Sequence, residues 1–136
     1  MKFVETDYLN NQKSIVKFPD HYVGISVMVD DAGIVANADG RKIVPAGTII
    51  GGTGGANAIL VNRETLATEH NTQGVASGEA GAGVDAEGVL MHDVDVTNGD
   101  AQGTMIIHGF IDLNKLPSAP CADAVNALRG RIVFIK

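Results

Sequence analysis

The stretch from Gly88 to Leu113 constrains the fold more than any other part of this 136-residue chain. Leu90, His92, Val94 and Val96 fall on one face of a strand over 89–96, the two-residue period of extended chain. Asn98-Gly99 lies within the following loop, Thr97 to Gly103, and that pair favours the tight turn of a β-hairpin. Thr104 to Leu113 then returns as a second strand. It carries Met105, Ile107, Ile111 and Leu113 on one side and Ile106, His108 and Phe110 on the other. Apolar side chains on both faces predict a strand buried on two sides, or one that gives a face to a partner subunit.

The rest of the chain agrees with a β-rich reading. Val23, Ile25, Val27 and Val29 alternate with small or less apolar residues until Asp30-Asp31-Ala32-Gly33 supplies a turn. Ile34-Val35 and Ile43-Val44 flank Asn37-Ala38-Asp39-Gly40 and predict a hairpin. Ala58 to Val61 reads as a short strand. Residues 62–87 show no lasting period and read as a long surface loop, a length often associated with function. The 17 glycines, about one residue in eight against an average near 7%, fit a turn-dense β domain. One short helix is expected near the end: Ser118 as cap, Pro120 in the first turn, Asp123 at the positive end of the dipole. Cys121, Val125 and Leu128 would form its apolar stripe and Gly130 its left-handed terminus, before a final strand over 131–136. The expected fold is mainly β (α+β): a small barrel-like or sandwich domain over 21–136, with an extended N-terminal arm over 1–20. Ser14 to Phe18 in that arm has strand propensity, and Pro19-Asp20 stops it. It could be the domain's first strand or a segment that adds to another chain's sheet edge.

Charge and motifs exclude several functions. The net charge of −6 argues against nucleic-acid binding, which needs a basic footprint. No apolar run approaches the ~20 residues that cross a bilayer, and the first 20 residues lack a signal-peptide core. A single cysteine, Cys121, precludes an internal disulfide and suits a reducing compartment. Gly51 to Asn57 is glycine-rich but lacks the Lys-Ser or Lys-Thr of a phosphate loop. His92, Asp93, Asp95, Asp100, His108 and Asp112 share the predicted hairpin, but alternation puts His92 opposite Asp93 and Asp95. A calcium loop begun at Asp93 would place Thr104 where its bidentate Glu belongs. Ser26, Ser77 and Cys121 are the candidate nucleophiles. None is tied to a base, and Cys121 reads as a small core residue. No metal, cofactor or catalytic activity is expected. From Glu64 to Asn114 there are nine acidic residues and no Lys or Arg, the pattern of a solvated acidic face.

Gly88-Val89-Leu90-Met91-His92-Asp93-Val94-Asp95-Val96, then His108-Gly109-Phe110-Ile111-Asp112, then Leu116-Pro117 are similar to the second half of lambda-type head decoration proteins of tailed bacteriophages. The order of Pro117, a short alanine-containing helix, Gly130 and a terminal strand also resembles that family. So does Arg41-Lys42-Ile43-Val44-Pro45-Ala46-Gly47-Thr48-Ile49-Ile50-Gly51. The resemblance covers 41–61 and 88–136. The chain departs from it in the insertion at 62–87 and in having no Trp.

The resemblance implies a non-enzymatic protein of the capsid exterior, made in the host bacterial cytoplasm. It would bind the major capsid protein as a homotrimer and clamp expanded heads against internal DNA pressure. Phe3, Val4, Tyr8, Ile15, Val16 and Phe18 would then be the capsid-binding arm, and Ile106, His108 and Phe110 the trimer interface. Two other readings compete. A head-fibre or adhesion module touching host glycan would need exposed aromatics, which are few here; a small metal-dependent enzyme would use His92 or His108.

Overall fold

The computed structural model describes residues 14–75 and 78–136. Eight strands and one α-helix follow in chain order: β1 Tyr22–Val29, β2 Ile43–Val44, β3 Ile49–Gly51, β4 Thr68–Glu69, β5 Gly88–Leu90, β6 Val94–Asp95, β7 Ala101–Asp112, α1 Ala122–Ala127 and β8 Ile132–Ile135. The main sheet runs β1-β7-β5-β3-β4, with β8 pairing parallel to β7; β2 and β6 form a separate antiparallel pair. The protein is mainly β, with one short C-terminal helix followed by a strand and no closed barrel. Among the described residues no helix is long and apolar enough to cross a membrane.

Three adjacent apolar pairs explain the architecture. Ile49-Ile50, Val89-Leu90 and Met105-Ile106 lie on β3, β5 and β7, and consecutive strand residues point to opposite faces. Ile49, Val89 and Ile106 enter one core with Ile15, Ile111, Ala124, Leu128 and Ile132; Ile50, Leu90 and Met105 enter another with Val27, Val29, Val44, Ile59, Val94 and Val96. Helix α1 covers the first face and the β2–β6 pair the second. The sheet is therefore sandwiched within one chain, and β7 is buried on both sides by its own domain at Met105 and Ile106.

Several expectations are corrected. Ile106, placed at a trimer interface, is 0% exposed and belongs to the internal core. Ile15 and Val16, placed in a capsid-binding arm, are also core residues: Val16 bridges Ile111, the Asp112 amide donates to the Ile15 carbonyl and the Lys17 amide donates to the Phe110 carbonyl. Residues 14–18 thus belong to the domain. The hairpin expected over 34–44 forms only its turn, because Ile43–Val44 pairs with Val94–Asp95 instead. Ala58 to Val61 is a turn that buries Ile59. The 89–96 strand breaks into β5 and β6, and the Asp93 carboxylate at the break accepts from the Ala46 amide. Residues 62–87 supply β4 and bury Ala67, His70, Ala86 and Glu87.

Helix α1 is shorter than its signals predicted. Its N-cap is Cys121, whose sulfur accepts from the Ala124 amide, and Ser118 lies outside it. Its buried side is Ala124 and Leu128, while Val125 is exposed. Gly130 takes the expected left-handed conformation at φ 85°.

Candidate functional site

The chain reaches β1 by an excursion that builds an exposed aromatic face. Residues 15–17 lie along the end of β7. Pro19-Asp20 then forms a turn closed by the His21 amide donating to the Phe18 carbonyl, and pairing resumes at Tyr22 opposite Gly109. The turn lifts Phe18 and His21 off the sheet and over β7. Phe18 meets Phe110 edge-on, with ring centroids 5.2 Å apart and planes at 78°. His21 lies 5.2 Å from His108 and 5.4 Å from Phe110 by ring centroid. Val23 sits opposite His108 and Val133 opposite Phe110 in the sheet registers.

This face is anchored from beneath yet open to solvent. Phe18 is 48%, Val23 52% and Val133 47% exposed, and the two histidines are exposed beside the half-buried Phe110. Contiguous exposed apolar surface of this kind marks interaction sites, and aromatics are enriched in the centres of interfaces. The backbone under it is rigid, because β7 is paired on both edges. Chemically the face offers apolar area and two neighbouring imidazoles. None of its six residues carries a hydroxyl or thiol.

Of the residues expected to bind partners, Phe18, His108 and Phe110 come together here. Ile106 does not, and Phe3, Val4 and Tyr8 lie outside the described residues. His21, Val23 and Val133 join the face without having been singled out. Val23 reads in sequence as the first of four inward valine and isoleucine positions. In the structure burial grows along β1, from exposed Val23 through half-buried Ile25 to buried Val27 and Val29, because the second core begins only midway along the strand.

The other sequence candidates resolve into structural roles. The glycine-rich 51–57 loop is organised by carboxylates: Glu87 accepts from the Gly52 amide, and the Asp85 carboxylate lies against Gly54, so negative charge stands where a phosphate would have to sit. Asp95 accepts from both the hydroxyl and the amide of Thr97; these bonds, helped by the Arg41 charge, hold its carboxyl below the usual range. Asp112 caps the turn at Asn114 and faces the Lys17 ammonium at 4.0 Å. Asp30, Asp31 and Asp100 bring carboxylate oxygens within 4.8 Å of one another, but two of them accept from the Ala32 and Asp31 amides. Ser26 is exposed, with its carbonyl bonded by Arg63, and Ser77 lies outside the described residues.

No known protein family, curated protein or solved structure matches the chain.

Proposed function

We propose that the protein is a structural component of a phage virion, binding as a trimer to the outside of an expanded head and stabilising it against internal DNA pressure. The observation that carries this reading is the exposed face of Phe18, His21, Val23, His108, Phe110 and Val133. It is a rigid, largely apolar surface on an otherwise acidic domain. The resemblance of 88–136 to head decoration proteins supplies the partner. A ring of three copies would cover a patch that no element of a single described domain covers, and linked copies gain affinity because later contacts become intramolecular.

Co-sedimentation with expanded, undecorated heads tests the reading. The full chain is compared with one lacking residues 1–13, and with Phe18→Ser and Val133→Ser variants. The truncation stops at 13 because Ile15 and Val16 are core residues. Saturable binding, weakened by the Phe18 and Val133 changes, supports the proposal; absence of binding by the folded full chain refutes it. A second reading, a module contacting host glycan, draws on the same exposed Phe18. It predicts retention on a glycan array that Phe18→Ser abolishes.

A further inference from the structure

At the β3–β4 end of the main sheet, β2, β3 and β4 line a cavity of about 310 Å³ together with the loop after β1 and the Pro117-Ser118 strap. The geometry points to a binding site for a primary ammonium group carried on an apolar stem, such as a lysine side chain offered by an extended segment of a partner. This inference is independent of the capsid reading.

Size and lining set the apolar half of the argument. The volume lies at the lower end of the ~300–1,000 Å³ typical of ligand pockets, so it suits one long side chain better than a cofactor. Ile34, Ile43, Val44, Pro45, Ile50 and Pro117 give its walls an aliphatic character. Val44 and Ile50 belong to the second core, so that wall is fixed in place.

The polar lining sets the charge. Several of its donors are already engaged: the Thr48 hydroxyl donates to the Pro45 carbonyl, and the Asn71 side chain donates to the Ala119 carbonyl while accepting from the Cys121 amide. The charged residues of the lining are Asp30 and Glu69, and it contains no Lys, Arg or His. Asp31 and Asp100 stand beside Asp30 and deepen the negative potential at that end. Among the described residues none of these four carboxylates has an ion-pair partner. A carboxylate accepts hydrogen bonds and donates none, so the complementary occupant is a donor with positive charge. An ammonium with a short alkyl chain satisfies both halves: its stem follows the aliphatic walls and its head stays near the carboxylates, as long cationic side chains do on apolar surfaces.

The test uses n-pentylammonium as the probe, with pentanol and pentanoate as matched controls, titrated into the isotopically labelled full chain and followed by amide chemical shifts. Pentylammonium should move the amides of Ile34, Val44, Thr68 and Glu69 as a saturable set. It should bind about fivefold more tightly than pentanol, the scale of one partly screened ion pair, with pentanoate weakest. Glu69→Gln changes an exposed residue of a sheet-edge strand and should narrow that preference, while the amide spectrum away from β4 stays unchanged. Equal binding of pentylammonium and pentanol would overturn the charge assignment. Shifts confined to Asp30, Asp31 and Asp100, or reproduced by calcium, would overturn the pocket itself.

Discussion

Glu87 is the residue on which the 51–60 region depends, and its replacement gives the sharpest test of the structure. Its side chain is buried, and its two carboxylate oxygens accept from three backbone amides: Gly52 at 2.7 Å, Ile59 at 2.7 Å and Leu60 at 2.9 Å. The bonds to Gly52 and Ile59 are buried, that to Leu60 partly so. Glu87→Ala removes all three acceptors. Each unsatisfied buried donor costs roughly 1–3 kcal/mol, while release of a buried charge returns part of that sum. A net loss of about 3 kcal/mol follows. Glu87→Gln keeps an oxygen for the Gly52 and Ile59 amides but turns an NH₂ toward the Leu60 amide, donor against donor. With two bonds of three retained and no charge to bury, the expected loss is about 1 kcal/mol. Urea unfolding followed by circular dichroism gives both differences, and hydrogen exchange localises them to the Gly52, Ile59 and Leu60 amides. Equal stability of the alanine variant and the native chain, or unchanged protection of those three amides, would refute the reasoning.

Four further outcomes follow from the packing and hydrogen bonding of other residues. Ile15→Ala, at a fully buried site, should cost about 3 kcal/mol in urea unfolding. Gly51→Ala would drive a methyl into the Asp85 carbonyl oxygen and should cost about 2 kcal/mol in the same assay. Asp95 has a folded pKa below its unfolded value, so its contribution to stability is present above the ordinary carboxylate range and is lost as pH falls through the folded value. Thr97→Val removes the hydroxyl that is the largest cause of that depression, and a carbon-13 carboxyl titration should show the Asp95 pKa rising.

How much of this was legible in the sequence depended on the range of the deciding contact. The helix stop at Gly130 and the two-sided apolar strand over 104–113 are local patterns, and both formed. The Asn37 to Gly40 turn also formed, but nothing local could say that Ile43–Val44 would pair with Val94–Asp95. The same holds for Ile15 and Val16: strand propensity is equal in an arm and in a first strand, and the pairing with Ile111 decides between them. Strict alternation groups Ile106 with His108 and Phe110 and so points it outward. The register with β1 passes from Val23–His108 to Gly24–Ile106, leaving Ile107 unmatched, and an extra residue puts the alternation out of phase. Glu87 stood in an acidic run that reads as solvated surface. Its role rests on three amides that converge only when residues 52–60 fold around it.

The twelve residues of β7 have a consequence for the order in which this protein can be made. Every edge of the main sheet next to β7 is closed by something synthesised much earlier or slightly later: Val16 and β1 from the beginning of the chain, β5 from its middle, β8 from its end. Tyr22 finds its place opposite Gly109 only after nearly the whole domain exists. At ~5–20 residues per second, the first strand waits on the order of five to fifteen seconds on the ribosome with its valines unsheltered. Neighbouring nascent chains on one message present the same segment over the same interval. Assembly of the domain is therefore a race between a distant strand of its own and an identical strand of a sibling, and dilution of nascent chains should favour the monomeric fold.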